Sequence, residues 1–169
     1  MAKTIAITNQ KGGVGKTTTA VNLTAILADM GQRVLVVDLD PQGNTTSGYG
    51  LKAGENCVYE ALLGRVPLKN CIRPTRVPNL SLVPADIRLA GAELELVEVE
   101  QREFRLKTEL KQVQRDYDFI FIDCPPSLSL LTLNAMAAAD RVMIPIQCEY
   151  YALEGLSQLL KNIEMIQKH

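Results

Sequence analysis

The sequence predicts a doubly wound α/β fold, with a mostly parallel sheet and helices on both of its faces. Three observations predict it. Short β-branched runs alternate along the chain with longer helical patterns. Those runs are continuously apolar rather than alternating, which is how strands buried on both faces of a parallel sheet read. The first of them enters a glycine-rich loop that opens directly into a helix, giving a strand–loop–helix–strand unit.

The expected strands are TIAIT (4–8), RVLVVD (33–38), NLSLVP (79–84), FIFID (119–123) and RVMIPI (141–146). Between the first two, residues 16–30 place Ala20, Leu23, Leu27 and Met30 at helical spacing, and Gly31 stands where a helix would stop. A long charged helix with an apolar stripe is expected over 93–115, with further helices over 128–139 and 150–167. Its charges suit a solvated face as well as a partner surface. From Gly43 to Pro78 the pattern is weak, with one short helix near VYEALL (58–63) and then Pro67, Pro74 and Pro78. We find no repeat, low-complexity tract or interdomain linker, so residues 1–169 are expected to form one domain.

Composition bounds the function. A chain of 169 residues, 47% hydrophobic, is long enough to bury a sizeable core. Its net charge of -1 offers no bulk attraction to nucleic acid or anionic lipid, and no Lys/Arg run supplies a local one. Cys57, Cys71, Cys124 and Cys148 are widely spaced, with His169 as the only histidine, which argues against a zinc site or a disulfide framework. No leader peptide precedes the first run, and no stretch reaches the roughly 18 apolar residues of a membrane span. The expectation is a reduced cytoplasmic protein without stable membrane association.

The chemistry is concentrated in NQKGGVGKTTTAVN (9–22). A phosphate loop needs glycines so that backbone N–H groups can turn toward an anion, a lysine to neutralise it and a hydroxyl opening the next helix to bind magnesium. GVGKTT (13–18) meets each need: Gly12, Gly13 and Gly15 allow close approach, Lys16 suits the β and γ phosphates, and Thr17 suits the metal. The nucleotide-contacting stretch is thus expected to include Gly12, Gly13, Val14, Gly15, Lys16, Thr17 and Thr18. The helix beginning near Lys16 adds the positive end of its dipole. The match to the usual P-loop pattern is incomplete, because Gln10 stands where its first glycine belongs. Lys11 follows it.

Two carboxylate motifs end strands where a doubly wound sheet binds ligands. VVDLDPQGN (36–44) brings Asp38 and Asp40, and FIFIDCPPSL (119–128) brings Asp123. Magnesium takes hard oxygen ligands, often through water, which suits an aspartate facing the loop hydroxyl. Phosphoryl transfer also needs a group to orient the attacking water. With Asp123 facing the metal, Asp40 is the best candidate for that task, and Asp38 is left between a turn residue and a functional one.

KGGVGKTT, DLDPQGN and FIFIDCPPSL, in this order, resemble the ParA/Soj family of chromosome and plasmid partitioning ATPases, P-loop NTPases with a deviant Walker A motif. The resemblance extends through YYALEGLSQLL (150–160). It implies an ATP- and Mg2+-dependent homodimer, in which Lys11 reaches across to the phosphates of the other subunit and Gly12 lies at the dimer contact. It further implies Lys16 as the P-loop lysine, Thr17 on magnesium, Asp40 positioning the hydrolytic water and Asp123 as the Walker B acid. Slow hydrolysis, non-specific association with nucleoid DNA and a ParB-like centromere-binding partner are implied with it. Family members continue beyond the point where QKH (167–169) ends this chain, which reads as a C-terminal truncation of the domain.

Three other readings share the loop. A MinD-type division-site regulator would anchor through a C-terminal amphipathic helix, and LSQLLKNIEMIQKH (156–169) has some of that character, although DLDPQGN favours the partitioning branch. An iron protein like the nitrogenase reductase would use cysteines to bridge a cluster, whereas Cys124 reads as a small apolar residue. An ATP-dependent biosynthetic ligase of the amidotransferase kind is the third.

Overall fold

In a computed structural model of the chain, residues 1–148 are described, so the helix expected over 150–167 lies outside the described residues. Strands β1 (Lys3–Ile7), β2 (Val34–Asp38), β3 (Arg73–Pro74), β4 (Leu80–Val83), β5 (Phe119–Asp123) and β6 (Arg141–Met143) form a sheet of order β3-β4-β2-β5-β1-β6. All neighbours pair in parallel except the two-residue edge strand β3, which is antiparallel to β4. Thr8, on leaving β1, donates its N–H to Met143 at 3.0 Å. β6 is shorter than the run 141–146 suggested, because the chain leaves the sheet at Ile144–Pro145 and the Pro145 carbonyl instead accepts from the Asn9 side-chain amide at 2.8 Å.

Successive strand residues serve opposite cores, which is why the runs are apolar throughout. Ala6, Leu35, Val37, Ile120 and Ile122 face one cluster with α3 (Val58–Leu62), α4 (Leu89–Glu95), α5 (Arg105–Leu110) and α6 (Leu130–Ala138). Ile7, Val34, Val36 and Phe121 face the other with α1 (Lys16–Asp29). Helices therefore cover both faces, as expected. On α1 the buried stripe is Ala20, Thr24 and Ala28, while Met30, 70% exposed, caps the helix rather than packing. Gly31 ends it, its N–H bonding the Ala28 carbonyl at 3.0 Å.

The helix expected over 93–115 is broken. α4 passes into a 3-10 turn at Leu96–Glu98, Val99 is extended, Gln101 adopts φ 52, and a second 3-10 turn at Arg102–Phe104 leads into α5. No glycine or proline marks the break. The cause is Asn134 of α6, fully buried, whose side chain donates to the Arg102 carbonyl at 2.8 Å and accepts the Leu106 N–H at 3.0 Å. It thereby satisfies one of the free N–H groups at the start of α5.

The weak stretch after Gly43 also holds a helix the pattern did not announce, α2 (Asn44–Gly48). It is short, and it lies beside α1.

Candidate functional site

The loop between β1 and α1 turns at Gly13 (φ +74) and Gly15 (φ +94), a left-handed backbone that side chains disfavour. Lys16 opens α1 and is buried, 8% exposed, yet its ammonium stays at the loop, donating to the Lys11 carbonyl at 3.1 Å. Burial pulls its pKa down, and the nearby carboxylates Asp123 and Asp40 pull it up. Val14 is buried beneath the loop, while Lys11, Gly12, Gly13 and Thr18 lie on its exposed side. Two amides that the sequence reading passed over hold this conformation. Asn9 accepts the Lys11 N–H at 3.0 Å, and Gln147 donates to the Gly13 carbonyl at 3.2 Å.

Two strands bring the carboxylates to this edge. Asp38 and Asp123 are register partners on β2 and β5, and Ile7, where β1 ends, is paired with Asp123 on the other side. The Leu39 N–H donates to the Asp123 carbonyl and the Cys124 N–H to that of Ile7, so the three strand ends are tied together at 2.9 and 3.1 Å. Phe119, Phe121 and Asp123 share one face by strand alternation, the face covered by α1. The Thr17 hydroxyl, in the first turn of α1, donates to Asp123 Oδ2 at 2.8 Å. Loop hydroxyl and strand-end carboxylate thus meet as the sequence suggested.

Asp123 is fully buried, and burial pushes its pKa up against the pull of the Thr45 and Thr17 hydroxyls. Its Oδ1 is buried without a hydrogen-bond partner. An orphaned carboxylate oxygen beside a threonine hydroxyl fits a hydrated hard cation. Among the described residues no group of three or more His, Cys, Asp or Glu gathers as a metal site. The donor set therefore suits an ion that takes its remaining ligands from water and phosphate, as magnesium does.

Asp40 sits in the turn after β2, 8% exposed, its carboxylate accepting the Gln42 N–H at 2.9 Å. Asp38 is structural in its contacts: it accepts from the Asp40 N–H at 3.2 Å and from the Thr46 N–H and hydroxyl at 2.8 and 2.7 Å. Burial pushes its pKa up to about 7, against the three donors, which favour the charged form. Asp38 thus anchors the segment carrying Asp40 to the sheet.

Sequence reasoning missed Thr45 and Thr46, which bind Asp123 and Asp38. Two hydroxyls directly after DLDPQGN were the available signal. Cys124, 1% exposed, packs in the core.

A strand, a glycine-rich loop and a helix that together bring a buried lysine and a threonine to strand-end aspartates define a P-loop nucleotide-binding protein. A family model described as an AAA domain matches residues 2–169. Sporulation initiation inhibitor protein Soj of Bacillus subtilis is 60% identical over 171 residues, covering 100% of this chain and 68% of that protein. Chromosome partitioning protein ParA of Myxococcus xanthus is 55% identical over 170 residues, covering 99% of this chain and 60% of that one. The chain belongs to the ParA/Soj family.

Among solved structures, cobyrinic acid a,c-diamide synthase from Mycobacterium smegmatis, with bound ATP analogue and magnesium, superposes with TM-score 0.94 at 44% identity, covering 99% of this chain and 69% of that one. A putative plasmid partition protein from Borrelia burgdorferi bound to AMPPNP gives TM-score 0.90 at 32% identity, over 99% and 70% of the two chains. The chain spans only 60% of the length of the Myxococcus relative and 68% of that of the Bacillus one.

Proposed function

We propose that this chain is the nucleotide-binding part of an ATP-driven dimerisation switch for chromosome or plasmid partitioning. The observation that carries the reading is the Thr17–Asp123 hydrogen bond, which joins the phosphate loop to a buried strand-end carboxylate with one oxygen to spare. The partitioning names of the Myxococcus and Borrelia relatives support the cellular role.

In this reading the loop from Lys11 to Thr18 wraps ATP with its backbone N–H groups, and Lys16 leaves the Lys11 carbonyl for the β and γ phosphates. Thr17 and Asp123 hold Mg2+, which neutralises charge on the phosphates when bound. Asp40 orients the attacking water from its turn. Lys11, on the exposed side of the loop, meets the nucleotide of a second subunit, so dimerisation depends on the γ phosphate. Hydrolysis is slow, the ATP-bound dimer sits on nucleoid DNA, and a ParB-like partner accelerates its release. Among the described residues no helix is long and apolar enough to cross a membrane.

The name of the Mycobacterium structure favours a second reading, an ATP-dependent ligase that activates a carboxylate. One experiment separates the two. The full-length protein is sized and tested for DNA retention with ADP, ATP and a non-hydrolysable analogue, and its ATP turnover is followed with and without a corrinoid carboxylate and an amide donor. An ATP-specific dimer retained on DNA supports partitioning, and turnover that requires the carboxylate overturns it.

A further inference from the structure

The adjacent threonines of α2 divide between the two register-paired carboxylates. Thr46 serves Asp38, donating with both its N–H and its hydroxyl, while the Thr45 hydroxyl donates to Asp123 Oδ2 at 2.6 Å. That oxygen also accepts from Thr17 at 2.8 Å. A carboxylate oxygen offers about two lone-pair positions, so two hydroxyls fill Oδ2. The other oxygen, Oδ1, is buried and has no partner. Thr45 is itself fully buried. With one donor arriving from α1 and one from α2, the carboxylate cannot rotate about its Cβ–Cγ bond without breaking a short hydrogen bond. Its remaining acceptor is thereby fixed in direction.

We propose that Thr45 is a positioning residue for the divalent cation accompanying the nucleotide. It locks the Asp123 carboxylate so that Oδ1 stays available to a cation-bound water, and it leaves Thr17 free to offer its second lone pair to the same cation. The inference rests on the magnesium–nucleotide reading of this edge and adds a residue to it. It also makes α2 the link between the cation and Asp40: α2 follows the Asp40 turn directly, and it is held by Asp38 through Thr46 on one side and by Asp123 through Thr45 on the other. Partners that orient a metal's ligands without touching the metal commonly change affinity by about ten- to a hundredfold when removed.

The test is equilibrium binding of a fluorescent, non-hydrolysed ATP analogue to the full-length protein, titrated with Mg2+ and repeated in EDTA. Thr45→Val keeps the shape of the side chain and removes the donor, and Thr45→Ser keeps the donor. Thr45→Val is expected to raise the Mg2+ concentration at half-saturation by about tenfold, with affinity in EDTA unchanged. Thr45→Ser is expected to titrate like the unaltered protein. An unshifted midpoint in Thr45→Val overturns the inference, as does an equal shift in Thr45→Ser, which would make the methyl group responsible. An equal loss of affinity in EDTA overturns it too, since the loop itself would then be damaged. If the unaltered protein binds the analogue with no response to Mg2+, the reading of the whole edge fails, a result distinct from failure of Thr45 alone.

Discussion

The ammonium of Lys16 donates to the main-chain carbonyl of Lys11 at 3.1 Å, so the two lysines of the loop are joined through backbone and not through charge. Their side chains can be separated by mutation. Lys16→Ala removes the one buried cation of the loop and is expected to weaken ATP binding by about two orders of magnitude or more, as loss of a charge-assisted contact does. Isothermal titration with ATP and Mg2+ checks this, and unchanged affinity would remove the loop from the nucleotide site.

Lys11→Ala leaves that carbonyl in place, along with the N–H that Asn9 accepts at 3.0 Å. The variant should therefore bind nucleotide like the unaltered chain while losing the ATP-dependent dimer. Light scattering with a non-hydrolysable analogue is the measurement, and a dimer that still forms returns Lys11 to the status of a loop charge.

Asp40→Ala keeps the Asp38 contact to the residue 40 N–H, and it loses the acceptor for Gln42 together with a carboxylate close to Lys16. Stability should fall by about 1.5–3 kcal/mol, the worth of a hydrogen bond to a charged group. ATP binding should survive and phosphate release should nearly cease. Normal turnover would assign the water-orienting role elsewhere.

Asp38 gives a pH signature. Its folded pKa of about 7 lies above the usual carboxylate value, so the folded state holds a proton that the unfolded state has released. The associated stability is present in full below the unfolded pKa and is lost as pH rises through about 7. Asp38→Asn removes this dependence. Relative to that variant, the unaltered chain should lose about 3 kcal/mol between pH 5 and pH 8 in urea titrations. A constant difference would mean that Asp38 is ionised throughout.

Asn134→Ala strands the Leu106 N–H and the Arg102 carbonyl at the start of α5 and also loses the bond to the Leu130 carbonyl. The expected cost is about 2–3 kcal/mol, because buried polar groups are left unpaired. Urea unfolding followed by circular dichroism reads it directly. Nucleotide binding, on the far side of the sheet edge, should be retained.

Much of the architecture was legible because strand burial and loop chemistry are local. A run such as VLVVD is apolar at every position only if both faces are covered, and GVGKTT can do little else between a strand and a helix. The interruption of 93–115 was not legible, since an asparagine distant in sequence supplies the cap and residues 99–101 carry no breaker of their own. α2 escaped for a related reason: a five-residue helix has too few turns to show a period, and side chains on other elements hold it.

The sequence by itself determined that this is an α/β nucleotide-loop protein of the ParA/Soj type, and it singled out Lys11, Lys16, Thr17, Asp40 and Asp123 as the candidates for its chemistry. Only the tertiary structure decided how those carboxylates divide the work. Register places Asp38 beside Asp123, and α2 then gives Asp38 the task of anchoring the Asp40 turn and fills one oxygen of Asp123 while leaving the other without a partner. Which oxygen of a buried carboxylate is satisfied depends on donors from three separate elements. No spacing along a chain encodes that arrangement.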